Sequence, residues 1–149
     1  MKLAEALAER SECQNRIEEL KKRMVRSARV QEGDTPAEDG NELLAESDRV
    51  FARLLELVSA INRTNSRTQY DAGRTISDAI AERDVVAKRR DFLAGIADAA
   101  STRQDRYSKS EVRFVATVSV AKLQAEVDRL AKQYRELDTR LQELTGTRS

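Results

Sequence analysis

The last thirty residues of the chain carry a long, regular alternation of apolar and polar positions. From Val120 onward an apolar residue recurs after three and then four residues, and charged residues fill most of the positions between. This spacing predicts a long amphipathic helix with a narrow apolar seam that packs against other helices. Leu130 and Leu137 should therefore be deeply buried, and Lys132 and Asp138 should be exposed. The seam positions are Val120, Leu123, Val127, Leu130, Tyr134, Leu137, Leu141 and Leu144.

Two further helices are predicted by weaker versions of the same pattern. The first runs from Leu3 to Arg29, and Cys13 falls among its seam positions as a small core residue. The third opens at a capping box formed by Thr75 and Asp78 and frays near Ser108. Its seam positions are Ile76, Ile80, Val86, Leu93, Ile96 and Ala100, with Phe92 beside them.

The second helix has two predicted starts and an unusually wide apolar stripe. The segment 35–38 is a capping box with Pro36 at the first helical position, and the segment 39–42 offers a later start. The stripe exceeds what one neighbouring helix covers, so the helix contacts two neighbours, lies centrally in its own chain or faces a second protomer. We expect the extra row to be Leu43, Val50 and Leu57. The full stripe is Leu43, Leu44, Val50, Phe51, Leu54, Leu55, Leu57, Val58 and Ile61.

A short strand is predicted between the third and fourth helices. Apolar residues alternate with a two-residue period across 112–118, and β-branched side chains are frequent there. A strand needs a partner, and the extended segment 28–32 would lie at the same end of an up-and-down bundle. A polar stretch at 62–74 holds a turn at Asp71-Ala72-Gly73. The predicted fold is mostly all-α: one domain over 1–149, an antiparallel, coiled-coil-like four-helix bundle with a two-stranded β-cap at one end.

Charge and composition give no general sign of nucleic-acid binding, of a disulfide or of a membrane span. The net charge is only +1, which supplies no general field for binding nucleic acid. Cys13 is the single cysteine, so no disulfide forms within the chain. No stretch is long and apolar enough to span a bilayer, and the first residues do not resemble a secretion signal. These features predict a cytoplasmic protein without a membrane span.

Candidate catalytic chemistry is sparse. The chain has no histidine, which removes the commonest general base and metal ligand. No glycine-rich phosphate loop occurs either. We therefore assign no catalytic residue, metal or cofactor. The enzymatic alternative is a magnesium-dependent all-α nucleotide pyrophosphatase, for which Glu9 and Glu12 could begin a carboxylate cluster.

Two basic clusters allow two interpretations. One interpretation is an anion or nucleic-acid contact with Tyr107 as a stacking surface. The other, which we favour, is that cations at helix C-termini are neutralised by the acidic segment at 32–39. The clusters comprise Lys21, Lys22, Arg23, Arg26 and Arg29, and then Arg103, Arg106, Lys109 and Arg113.

Five separated segments, in order, resemble a known bacterial group. They lie at 1–7, 29–33, 61–65, 73–75 and 103–108 and together look like the small proteins labelled septicolysin-like. The resemblance implies an all-helical domain, and the family name suggests a membrane-active cytolysin as an alternative function. It also draws attention to three polar segments between helices. The candidate interaction surface is Arg29, Gln31, Glu32, Asn62, Arg63, Asn65, Arg103, Asp105, Arg106 and Tyr107.

The sequence is most typical of a non-enzymatic cytoplasmic module that binds other proteins, including itself. The wide stripe of the second helix and the seam of the fourth would provide the contacts. Because closed twofold symmetry is the commonest arrangement for such surfaces, we expect a homodimer or a higher even-numbered oligomer. The sequence does not identify a further protein partner.

Overall fold

The structure is a computed structural model that describes residues 1–101 and 112–146. The predicted class, mostly all-α with a short two-stranded β element, is confirmed. The chain divides into two compact units: Met1–Thr68 with Thr145 and Gly146, and Gln69–Leu144. A single domain over 1–149 stays a prediction. The elements are α1 (Leu3–Ser27), α2 (Gly40–Arg67), β1 (Gln69–Asp71), β2 (Arg74–Thr75), α3 (Ile76–Ser101) and α4 (Val120–Thr145).

The first unit is an antiparallel pair of helices, α1 and α2. Its core contains Ala6 and Cys13 from α1 and Leu57 and Ile61 from α2. The α1 residues are small, so the larger side chains of α2 can pack close to the α1 backbone. Cys13 is a buried core residue, as predicted. Helix α1 ends at Ser27 rather than Arg29.

Helix α2 starts at the later of its two predicted positions. Asp39 is the N-cap, and its carboxylate accepts a hydrogen bond from the Asn41 backbone N–H at 2.9 Å. The earlier capping box does not start the helix, because the Glu38 carboxylate accepts hydrogen bonds from Arg23 of α1 at 3.0 and 3.1 Å. Several hydrogen bonds between two charged groups are stronger than the single hydrogen bond from a backbone N–H that Glu38 would accept in a capping box.

The C-terminal part of α2 extends further than the sequence predicted. Residues 62–67 were expected in a polar inter-helix segment, but they are the last turns of the helix. The Ser66 hydroxyl donates to the Asn62 carbonyl at 2.8 Å, and the Thr68 hydroxyl donates to the Thr64 carbonyl at 2.8 Å. Such bonds to the preceding turn allow short polar side chains to remain within a helix.

The two-stranded sheet lies between α2 and α3, not where it was predicted. Strands β1 and β2 pair antiparallel through the predicted turn, where the Asp71 carboxylate accepts the Gly73 N–H at 3.1 Å. Within the described residues, 112–117 form no strand and 28–32 form none, so the predicted β-cap was wrong. Phe114 and Val115 are adjacent and 79% and 82% exposed, so the two-residue period produces no alternating burial. Residues 102–111, including the predicted end of the third helix, lie outside the described residues.

In the second unit, α3 and α4 pack antiparallel. Helix α3 starts at the predicted capping box: Asp78 accepts the Thr75 N–H at 2.9 Å, and the Thr75 hydroxyl accepts the Asp78 N–H at 3.2 Å. All α4 seam positions are at least partly buried, with Leu130 and Leu137 almost completely so, as predicted. The buried residues of the unit are Ile76, Ala79, Val86, Ala97, Leu130, Leu137 and Leu141.

The predicted exposure of Asp138 was wrong. Asp138 is partly buried and accepts a hydrogen bond from Arg83 of α3 at 3.0 Å and from Gln142 at 2.8 Å. It lies one position from the apolar seam, where a carboxylate can reach a cation on the neighbouring helix. Lys132 is exposed, as predicted.

Candidate interaction surface on helix α2

Three large apolar side chains of α2 face solvent. Leu44, Phe51 and Leu55 are 48%, 53% and 68% exposed. On a helix with 3.6 residues per turn, they fall within an arc of about 40° along roughly 16 Å of the axis. We call this row the α2 outer face. Scattered exposed apolar residues are ordinary, whereas several on one side of one helix are typical of a contact surface.

The sequence predicted a surplus apolar row but assigned it to the wrong residues. Leu43 and Leu57 are buried and Val50 is partly buried, and Leu57 and Val50 belong to the core packed against α1. The exposed row is instead Leu44, Phe51 and Leu55. The interpretation that the whole stripe is buried within its own chain is therefore wrong for these three residues.

The core packed against α1 sets which row of α2 faces outward, and ion pairs with α1 lie beside that core. Arg53 donates from Nε and Nη2 to the Glu9 carboxylate at 2.8 Å each, and Arg16 donates from Nε to Glu46 at 2.8 Å. Glu46 and Arg53 lie beside the buried row, on the side away from the α2 outer face. Partly exposed pairs contribute little to stability, but their fixed geometry restricts rotation of α2 about its axis.

Opposite charges and small side chains border the α2 outer face. Asp48 and Arg63 are both exposed, and neither forms an ion pair within the described residues. Ala52 and Ser59 lie on the same border, between these two charges. The border therefore combines unpaired charge of both signs with a shallow surface that a large side chain can approach.

The inter-helix ion pairs also change the acid–base properties of α1 and α2. Hydrogen bonds from Arg53 hold the pKa of Glu9 below its ordinary value of 4.5, and those from Arg23 do the same for Glu38. In the second unit, hydrogen bonds from the Arg74 side chain lower the pKa of Asp71. These carboxylates are all ionised in the folded protein at neutral pH.

A depressed carboxylate pKa predicts a loss of stability in acid. Because the folded state holds Glu9 ionised more strongly than the unfolded state does, the contribution is complete above about pH 4.5 and is lost as pH falls through the folded-state pKa. We expect the free energy of unfolding of Glu9→Gln to fall less than that of the wild type between pH 5 and pH 3, because the variant has no carboxylate to protonate at this position. Urea unfolding at several pH values measures this. Glu12→Gln, which removes an exposed carboxylate from the same helix, is the control for loss of a charge alone. A Glu9→Gln profile parallel to the wild type would contradict the prediction.

The structure separates the residues that the sequence grouped as a candidate surface. Arg29, Gln31 and Glu32 are exposed in the loop after α1. Asn62 and Arg63 are exposed on the last turns of α2, which lie at the opposite end of the antiparallel pair. Arg103, Asp105, Arg106 and Tyr107 lie outside the described residues, and so does the second basic cluster apart from the exposed Arg113.

Asn65 was assigned to the surface and is instead buried. It is only 9% exposed, and its Oδ1 atom has no hydrogen-bond partner within the described residues. It follows Ile61 by four residues and so continues the buried row of α2. The sequence signal that could have predicted the burial of Asn65 was its position along that row, not its polarity.

One of the two carboxylates of the enzymatic alternative, Glu9, is engaged by arginine. Glu9 binds Arg53 with both oxygens. Over residues 1–101 and 112–146, no group of three or more His, Cys, Asp or Glu side chains is arranged to hold a metal ion. In the second unit, Arg74 lies 4.8 Å from the centre of the Tyr70 ring and pairs with Asp71 and Glu82. This network connects the β-hairpin to the first turns of α3. The polar residues of the hairpin therefore have a structural role.

Comparison with known proteins identifies the family. Residues 10–146 match DUF6847, a family of unknown function. The chain belongs to DUF6847. A crystal structure of a functionally unknown conserved protein from Corynebacterium diphtheriae is similar, with 45% sequence identity and a TM-score of 0.89. That match covers 97% of this chain and 95% of the other. No curated protein matches the sequence.

Membership of DUF6847 corrects the resemblance proposed from the sequence. The family that matches has no assigned function, and no septicolysin-like family is indicated. The expectation of a cytolytic activity rested on the family name alone and loses its basis. None of the helices in the described residues has the length and apolar character needed to cross a membrane.

Proposed function

We propose that this DUF6847 protein is a cytoplasmic, non-enzymatic interaction module that associates with copies of itself through the α2 outer face. The observation that carries the proposal is the exposed row of Leu44, Phe51 and Leu55, on a helix whose buried row packs against α1. The α4 seam, which the sequence also suggested as a contact, is used for packing within the second unit.

The expected driving force is the burial of these three side chains. Complete burial of a Leu or Phe side chain stabilises by about 1.5–3 kcal/mol, so covering their exposed halves contributes roughly 1 kcal/mol each. In a twofold-symmetric dimer both copies contribute these three side chains, so the gain is doubled. The freedom lost on association costs about 4–15 kcal/mol, which is similar to this gain or larger, so the loss of one of these side chains is enough to abolish the complex.

The proposal predicts a change in oligomeric state when the α2 outer face is made polar. We expect the wild type to sediment as a dimer or higher even-numbered oligomer at micromolar concentration, and Phe51→Ser to sediment as a 16.8 kDa monomer. Sedimentation equilibrium measures both. Phe92→Ser is the matched control, because Phe92 is a 67% exposed aromatic residue on α3. It should leave the oligomeric state unchanged.

Two outcomes would contradict the proposal. A monomeric wild type across the micromolar range would show that the α2 outer face does not mediate self-association. An oligomer that survives Phe51→Ser but dissociates with Phe92→Ser would assign the contact to α3. Circular dichroism of each variant distinguishes loss of association from loss of helical structure.

A further inference from the structure

We infer that the partner of the α2 outer face is the same face of a second copy, with the two α2 helices antiparallel about a twofold axis at Leu55. This inference rests on the proposed function and specifies its geometry. It follows from three features of α2: the position of the apolar row, the unpaired charges at its border and the small residues between them.

The charges lie at similar distances on either side of Leu55. Asp48 precedes it by seven residues and Arg63 follows it by eight, which corresponds to about 10.5 and 12 Å along a helix. In an antiparallel pair centred on Leu55, Asp48 of each copy lies opposite Arg63 of the other. The dimer then contains two equivalent contacts between opposite charges.

A parallel pair would place like charges together. Asp48 would lie opposite Asp48 and Arg63 opposite Arg63, so attraction at both sites would become repulsion. Neither side chain has an ion pair in the described residues that would have to break first. Electrostatic complementarity of this kind selects the orientation of a complex more than its strength.

The apolar and small residues fit the same register. With the axis at Leu55, the two Leu55 side chains meet each other, and Phe51 of one copy lies opposite Ser59 of the second. Ser59 is small and partly buried, so the ring can approach the helix backbone there. Both Phe51 side chains are then covered by equivalent surfaces, as an isologous contact requires.

Disulfide cross-linking tests the orientation directly. We expect a mixture of Asp48→Cys and Arg63→Cys to form a heterodimeric disulfide under mild oxidation, while each variant alone forms little. Wild type, which contains only the buried Cys13, gives the background. Asp84→Cys, an exposed position on α3, mixed with Asp48→Cys controls for random collision.

Exchanging the charges at positions 48 and 63 provides a second test, which does not depend on disulfide formation. Asp48→Arg should raise the dimer dissociation constant about tenfold, because both symmetric contacts become repulsive. The double variant Asp48→Arg with Arg63→Asp should return to within about threefold of wild type, since exchanging the two charges restores both pairs.

The outcomes separate this inference from the proposed function. Strong homodimeric disulfides of each single cysteine variant, with none between them, would indicate a parallel pair and overturn the inference. A wild-type dimer with no specific disulfide and no rescue by charge exchange would also overturn it, while leaving self-association standing. A monomeric wild type would overturn the proposed function itself.

Discussion

Leu137→Ala is expected to lower the free energy of unfolding by about 2–5 kcal/mol. Leu137 is almost completely buried on α4, in a cluster with Leu130 and with Val86 of α3. Removing its branched end deletes apolar contact and leaves a cavity that two long helices cannot close without shifting the rest of their seam. The size of the loss within this range depends on how far Val86 and Leu130 relax.

Urea unfolding of Leu137→Ala and Lys132→Ala measures this prediction. Lys132 is exposed on the same helix, five residues earlier, and its truncation should change the free energy of unfolding by no more than about 0.5 kcal/mol. Both substitutions end in alanine, a strong helix former, so differences in helix propensity remain small. Equal effects of the two variants would show that the α4 seam has a different register.

Leu57→Ala and Leu55→Ala should have opposite effects on stability and association. Leu57 is buried between α1 and α2, so its truncation is expected to cost about 2–5 kcal/mol. Leu55, two residues earlier on the same helix, is 68% exposed, and its truncation should cost less than about 1 kcal/mol. The same chemical change is thus compared in one helix, at one buried and one exposed position.

Association should show the reverse order. Leu55→Ala removes a contact at the proposed twofold axis and should weaken self-association by about tenfold or more, whereas folded Leu57→Ala retains the α2 outer face. Stability is best measured at submicromolar protein concentration, where association contributes least to it. Association is measured by sedimentation at higher concentration. If Leu55→Ala lowered stability as much as Leu57→Ala, the assigned rotation of α2 would be incorrect.

Local signals in the sequence predicted several elements well because their determinants lie close together in the chain. The start of α3 depends on Thr75 and Asp78, three residues apart, whose side chains and backbone satisfy each other. The turn between β1 and β2 depends on Asp71 and Gly73. The buried face of α4 follows from a repeat that continues over more than six turns without interruption.

Other elements were predicted incorrectly because a distant residue competes with the local signal. The capping box at 35–38 is complete in the sequence, but Glu38 binds Arg23 instead, fifteen residues away. The alternation at 112–118 indicates extended backbone, yet it does not specify a pairing strand, and within the described residues none is formed there. Asp138 was assigned to solvent because its partner, Arg83, lies fifty-five residues earlier.

The candidate site was likewise predicted in part by the local sequence and decided in part by distant contacts. The surplus of apolar residues on α2 is a property of the sequence, because it depends only on composition and helical spacing. Which row becomes the surplus is a property of the tertiary structure. Two adjacent rows are chemically almost equivalent, and the sequence alone favoured the exposure of Leu43, Val50 and Leu57.

Within the described residues, the sequence by itself determined the four helices, where they begin, the buried seam of α4 and the wide stripe of α2. These follow from short-range periodicity and capping, whose interactions span a few residues. The tertiary structure alone decided that Leu44, Phe51 and Leu55 face solvent. The rotation of α2 depends on how Leu57 and Ile61 pack against α1, with the ion pairs of Glu46 and Arg53 beside them. Such contacts between segments far apart in the chain leave no periodic signal.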